Sequence, residues 1–388
     1  VYADQKYSDS YPRGVKMMSQ TIFTEKNSIK KIDDILDIVQ AGKYLLVCDD
    51  SFQYLSIKDC FLKTTTSRVS FRDFTSNPLY EDVCKGVDLF REENCDSIIA
   101  VGGGSTIDVA KCIKLFCRMD PDKNYLTQEF KDSGIPLIAI PTTAGTGSES
   151  TRYAVIYYNG KKQSITHESI IPSYVILEPD VLKTLSLYQK KCTMLDALCQ
   201  GIESWWSVNS TEESKRYSRI TVETIMRYKD DYLKQHSEEA TEKIMLASNY
   251  SGKAINITQT TAPHAMSYKL TALYNLPHGH AVAICLPYVW SYMLDNMDQC
   301  VDPRGAGYLK TISAEIAKAM DAETPKDAVS TFFDVLKDLQ IENPVTSHPS
   351  DLEELAASVN PVRLKNNPVY LGEDALRSLY YRIVRIKE

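Results

Sequence analysis

Asp96–Val101 (DSIIAV) runs without a break into Gly102-Gly103-Gly104-Ser105-Thr106, and Ile107–Phe116 continues in a helical pattern. A short apolar run, a glycine turn and a helix in that order predict one strand–loop–helix unit of a parallel sheet. Three glycines allow the backbone to approach a diphosphate closely. The helix behind them presents unpaired N–H groups and the positive end of its dipole. The plainer reading of Ser105 or Thr106 is a helix N-cap.

The same grammar repeats on either side. Tyr44–Cys48 (YLLVC) ends at Asp49, and Gly134–Ile140 (GIPLIAI) leads into Pro141–Glu149 (PTTAGTGSE). Tyr174–Leu177 is a further short strand. Hydroxyls and small residues in the second loop can meet a ribose or phosphate without crowding it. From about Leu182 strand signals fade, and helical segments follow at roughly 193–204, 212–228, 238–256 and 307–320. The expected fold class is therefore α/β plus all-α, a Rossmann-like parallel-sheet nucleotide-binding domain followed by an all-helical domain. The expected boundaries are 20–184 and 185–388. Residues 1–19 are polar and tyrosine-rich without a clear period, and read as a leader or linker.

Composition narrows the function classes. Of 388 residues 43 % are hydrophobic and 24 % charged, enough apolar content for two buried cores. A net charge of −7 gives no basis for nucleic-acid or anionic-membrane binding. No apolar run approaches bilayer length. Ten cysteines without a CxxC pair read as free thiols of a cytoplasmic protein.

Metal chemistry enters through histidines. Three of only six, His264, His278 and His280, fall in one short stretch, with Pro277-His278-Gly279 reading as a tight loop. Upstream, Asp196 and Gln200 stand four apart on a helical pattern and share a face. An Asp, a Gln and two His would make a mixed N/O site for a divalent ion. Any one of these histidines could equally be a satisfied core residue.

Taken together, Gly102–Lys111 (GGGSTIDVAK), Pro141–Glu149, Glu178-Pro179-Asp180, the Asp196-Ala197 helix and His264–Pro287 resemble the iron-containing alcohol dehydrogenase family in order and spacing. The resemblance spans Thr21 to the C-terminus and implies a two-domain plan shared with dehydroquinate synthase, with the site between the domains. It implies metal ligands at Asp196, Gln200, His264 and His278, for Fe(II) or Zn(II). Gln200 stands where the family has a third His, so a weaker, neutral oxygen donor, or a water, takes that position. Tyr268 replaces another common His, which leaves His280 or Tyr268 as the catalytic proton relay. The cofactor would lie on Gly103, Gly104, Ser105, Asp108, Thr142, Thr143 and Thr146. Asp49 would accept from ribose hydroxyls, favouring NAD over NADP. The segments Asp196–Ser210 (DALCQGIESWWSVNS) and Thr261–Leu270 (TAPHAMSYKL) look like the branch of the family that reduces phosphonoacetaldehyde to 2-hydroxyethylphosphonate. Arg152 is then the expected anchor for the substrate's anion, with Lys253 and Lys269 as further basic groups. The rivals are a reductase of a neutral aldehyde or diol, as in lactaldehyde or butanol dehydrogenases, a sugar-phosphate lyase, and a weakened NAD-binding scaffold. The resemblance also implies a homodimer or higher homo-oligomer.

Overall fold

A computed structural model describes residues 20–235 and 237–387; the leader or linker expected at 1–19 lies outside the described residues. In chain order the first half contains β1 (Thr21–Phe23), α1 (Ile32–Ile38), β2 (Lys43–Cys48), α2 (Lys58–Lys63), β3 (Ser67–Phe71), α3 (Tyr80–Glu92), β4 (Ser97–Gly102) and α4 (Gly104–Phe116). It continues with β5 (Leu137–Pro141), β6 (Tyr153–Tyr158), β7 (Lys161–Thr166) and β8 (Tyr174–Ile176). Six of these strands form one parallel sheet in the order β1-β8-β5-β4-β2-β3. Every residue of β4 and β5 is buried, which is why those stretches are continuously apolar rather than alternating.

The connection from β3 passes back over β2 to reach β4, so the strand order reverses between β2 and β4. Open parallel sheets bind ligands at the carboxyl ends of the strands beside such a reversal. Asp49 and the Gly102–Gly104 turn form the two lips of this crevice.

The second half is helical: α5 (Leu187–Trp206), α6 (Glu212–Asp230), α7 (Glu238–Thr258), α8 (Ala262–Tyr274), α9 (His278–Asp295), α10 (Gly305–Ala319), α11 (Pro325–Asp338), α12 (Ser350–Ser358), α13 (Pro361–Leu364) and α14 (Glu373–Ile383). Two short strands, Val345–Thr346 and Arg385–Ile386, pair beside them. Trp205, Trp206 and Trp290 are fully buried at the centre, with Trp206 and Trp290 edge to face at 5.5 Å. No helix among the described residues is long and apolar enough to cross a membrane.

Two local expectations change, and one hairpin is added to them. The helix expected from 193 begins at Leu187, capped by Ser186, whose hydroxyl accepts from the Gln189 N–H. His278 opens a helix instead of lying in a loop: Pro277 caps α9. The stretch after Thr151 is an antiparallel hairpin of β6 and β7, turned by Asn159 and Gly160 with φ of 50° and 69°. Positive φ at both turn residues is the geometry that an Asn-Gly pair favours.

Candidate active site

A cleft of about 550 Å³ opens between the strand ends of the sheet and the helices α5, α8 and α9. On the sheet side, Gly103 caps α4, and Gly104 and Ser105 line the cleft. A Cβ on Gly104 would stand 2.9 Å from the Thr146 side chain, so the two glycine-containing loops pack too closely for any larger residue. Thr146 lines the cleft, whereas Thr142 is buried and its N–H donates to the Gly102 carbonyl. Thr143 is the nearest neighbour of Gly103. Asp108 also lines the cleft, but its two oxygens already accept from Ser148 Oγ (2.6 Å) and the Val155 N–H (2.9 Å). It therefore braces α4 against the second loop and β6; burial raises its pKa, against the charge of Lys111. Asp49 accepts from the Ser51 N–H (2.8 Å) and the Thr106 hydroxyl (3.4 Å), which fixes its carboxylate at the end of β2.

On the helical side, α5 carries Asp196, α8 carries His264 in its first turn, and α9 begins with His278. Gly279 is what lets α9 come this close: a Cβ there would collide with the Cys192 carbonyl of α5. His264 Nε2 lies 3.3 Å and His278 Nε2 3.9 Å from Asp196 Oδ1, and the donor atoms of all three residues lie within 4.8 Å of one another. Four-coordinate ions with bonds of about 2.0–2.2 Å keep their donor atoms about 3.3–3.6 Å apart. Asp196 Oδ1 and His264 Nε2 are both buried without a hydrogen-bond partner. Two unsatisfied polar atoms facing each other at this spacing fit a divalent cation shared between them.

Behind His264 stands Glu203, fully buried one turn beyond Gln200 on α5. One of its oxygens lies 2.5 Å from His264 Nδ1; the other accepts from the Thr261 N–H (2.7 Å) and hydroxyl (2.9 Å). This pairing puts the ring proton on Nδ1 and turns Nε2 toward Asp196. Burial works against charge on His264, but Glu203 and Asp196 on either side push its pKa up to about 9. Burial and the charges of His264 and Lys162, opposed by Asp196, bring His278 down to about 4. Burial also opposes ionisation of Asp196, yet the two imidazoles and the Gln200 amide hold its carboxyl below the ordinary range.

The other expected residues divide between cleft and periphery. Gln200 lines the cleft, but its carbonyl oxygen accepts from the Ser251 hydroxyl (2.8 Å). Its amide nitrogen lies 3.5 Å from the Thr146 carbonyl, so it ties the metal-site helix to the second loop. Tyr268 lines the cleft with its ring parallel to that of His278 at 5.8 Å. His280 is not brought there: its Nδ1 meets the Tyr188 hydroxyl (2.7 Å) and its Nε2 the Glu342 carbonyl (2.8 Å). Residues two apart on a helix point to nearly opposite sides, so the neighbour of His278 faces away from the cleft. Arg152 also lies outside the cleft lining, paired with Glu168 at 2.5 Å and set against the Tyr153 ring. Lys269 pairs with Glu354, and Lys253 packs on Tyr250 and Tyr217. The cleft instead receives Lys162 from β7 and Arg363 from α13. Neither these two nor Glu203 figured in the sequence reading. Only the Asn159-Gly160 turn signal could have pointed to the strand that bears Lys162.

This arrangement has close counterparts. A family model described as iron-containing alcohol dehydrogenase matches residues 19–179, and one for the C-terminal part of the same family matches residues 191–384. Phosphonoacetaldehyde reductase of Streptomyces viridochromogenes is 31 % identical over 62 % of this chain and 64 % of its own length. The probable alcohol dehydrogenase EutG of Escherichia coli is 34 % identical over 55 % of the chain and 56 % of that protein. The matches thus span under two thirds of these relatives. The crystal structure of sulfoacetaldehyde reductase from Bifidobacterium kashiwanohense in complex with NAD+ superposes with a TM-score of 0.84 at 25 % identity, covering 96 % of this chain and 99 % of that one. With both halves matched in order and the same architecture over nearly the whole length, the chain belongs to the iron-containing alcohol dehydrogenase family.

Proposed function

We propose that this chain is a metal-dependent, NAD(H)-linked reductase of a small aldehyde, and that its substrate is phosphonoacetaldehyde, reduced to 2-hydroxyethylphosphonate. The observation that carries the reading is the meeting, in one cleft, of the Asp196–His264–His278 donor set and the glycine loop opening α4. One wall suits a divalent cation and the other a diphosphate. A bound Fe(II) or Zn(II) would supply Lewis acidity to polarise a carbonyl oxygen toward hydride attack.

The chain's own residues do the rest. Gly103, Gly104 and Ser105 receive the cofactor diphosphate, while Thr146 lines the path toward the metal ligands, with Thr143 packed beside Gly103 and Thr142 buried behind the loop. Asp49, already oriented by Ser51 and Thr106, accepts from ribose hydroxyls and repels a 2′-phosphate, which favours NAD. Asp196, His264 and His278 hold the ion, with Glu203 fixing the His264 tautomer. Gln200 contributes either its oxygen after rotation of the amide or a bracing contact as it stands. Tyr268 forms the cleft wall beside His278. The choice of aldehyde is supported by the names of two similar proteins, both of which act on a two-carbon aldehyde bearing a tetrahedral oxyanion.

Ten unbridged cysteines accord with a reducing, cytoplasmic setting. A homodimer or higher oligomer is proposed as well, since among the described residues β1 ends the sheet with one edge unpaired. The test of function is NADH oxidation by protein reloaded with Fe(II) or Zn(II), with phosphonoacetaldehyde set against propanal. Preference for the phosphonate supports the reading. Preference for propanal returns the chain to the neutral-aldehyde enzymes, and silence on all aldehydes and metals leaves the scaffold.

A further inference from the structure

An anionic aldehyde needs a cation in the cleft, and the charge distribution there is unusual. Lys162 is half-buried on β7 with its Nζ 3.4 Å from the centroid of the Tyr268 ring. Arg363, half-buried on α13, donates from Nη1 to the Tyr268 hydroxyl (3.2 Å), with its Cζ 5.1 Å from the same ring. Among the described residues neither cation has a carboxylate within ion-pairing distance, whereas Arg152 and Lys269 each have one. The nearest candidate, Asp108, spends both oxygens on Ser148 and Val155. Two like charges are therefore gathered around one aromatic ring without a counter-ion. Burial and the charge of Arg363, against Asp108, lower the Lys162 pKa to about 7, a measure of how poorly the group is compensated. Unpaired cations in a partly desolvated cleft are the signature of a site completed by an anionic ligand.

Position fixes what that anion belongs to. The Tyr268 ring is parallel to that of His278, whose Nε2 faces Asp196, so the two cations border the metal-ligand cluster without joining it. A small molecule with its carbonyl at the cluster would direct a tetrahedral oxyanion one or two carbons away along the same cleft, whose lining includes both cations. The planar Arg363 fork suits two oxygens of such a group, and Lys162 acts as a point charge beside them. We propose that Lys162 and Arg363, set around Tyr268, form the substrate's oxyanion subsite, and that Tyr268 is a positioning residue for the two cations. The proposal rests on the aldehyde-reductase reading above, and it transfers the anchoring role from Arg152 to residues on β7 and α13.

The test uses metal-loaded full-length protein with Lys162→Met, Arg363→Met and the milder Arg363→Lys. The first readout is the ratio of kcat/KM for phosphonoacetaldehyde to that for propanal. The second is the Kd of ethylphosphonate, and of ethanesulfonate, measured by calorimetry in the presence of NAD. Each methionine variant is expected to lower the selectivity ratio about 10- to 100-fold, mainly through KM, and to weaken ethylphosphonate by a similar factor. Arg363→Lys should recover part of the loss. An equal loss for ethanesulfonate identifies a general oxyanion site; a loss for ethylphosphonate alone identifies a phosphonate site. If the wild type prefers phosphonoacetaldehyde and both variants keep that preference, the subsite is overturned while the function stands. If the wild type prefers propanal but ethylphosphonate binding still depends on Lys162 and Arg363, the subsite stands and the substrate is another oxyanion. Wild-type binding of neither anion overturns the subsite.

Discussion

Replacing Glu203 with Gln should strip much of the metal affinity although residue 203 never touches the ion. The three groups around Glu203 all present hydrogens: the Thr261 N–H, the Thr261 hydroxyl and the His264 Nδ1–H. The Thr261 hydroxyl has its orientation set in turn by Trp206, whose indole N–H donates to it at 3.0 Å. A carboxylate accepts from all three. A glutamine has one oxygen, which belongs on the side with two donors, so its NH2 must face His264. That arrangement is satisfied only if His264 moves its proton to Nε2, the atom that faces Asp196. Ion binding then has to reverse the tautomer and leave two donors opposed in a buried site. Loss of such a carboxylate behind a ligating histidine typically weakens metal binding about 10- to 100-fold, or about 1.4–2.8 kcal/mol. The assay is competition for Zn(II) against a chromophoric chelator, with metal content after dialysis as a second readout. Thermal unfolding without metal shows whether the variant is folded. A folded variant whose Zn(II) affinity stays within about threefold of wild type would refute the tautomer argument.

Metal affinity should also depend on pH with a defined sign. His264 binds an ion only as the neutral ring, and its pKa is raised to about 9, so below that value the ion must displace a proton. Between about pH 5 and 9 affinity should rise about tenfold per unit and level off above; a flat profile from pH 6 to 8 contradicts this. Gly279→Ala should push α9 away from the Cys192 carbonyl, lowering stability by about 1–3 kcal/mol in chemical denaturation and reducing retained metal through displacement of His278. Asp49→Gly removes the charge proposed to face the ribose, and the kcat/KM ratio of NADPH to NADH should rise by about tenfold or more; an unchanged ratio would mean that Asp49 serves only to cap the short helical turn Asp50–Tyr54 through the Ser51 N–H.

The sheet was legible because burial on both faces leaves β4 and β5 as uninterrupted apolar runs, and because the glycines that follow them admit few other readings. Asp196, His264 and His278 were legible through the family resemblance, and the structure brings their donor atoms together. What stayed hidden depends on contacts distant in sequence. Glu203 looks like an ordinary helical glutamate until Thr261 and His264, some sixty residues on, bury it. Lys162 and Arg363 meet only through Tyr268, and no pattern links the three along the chain. His280 and Arg152 attracted attention through their neighbours in sequence, yet helix geometry and an ion pair with Glu168 direct them elsewhere.

The cleft also separates what must stay fixed from what can vary. Its metal donors sit on long helices that pack around the three tryptophans, where a change of volume is felt throughout the core. Lys162 and Arg363, which have no carboxylate partner among the described residues, sit on a surface hairpin and a four-residue helix. If the proposed subsite holds, a lineage could exchange residues 162 and 363 and take up a differently charged substrate without disturbing the metal donors. Substrate choice in such an enzyme can evolve faster than its chemistry, because the two are written on parts of the fold with very different tolerance for change.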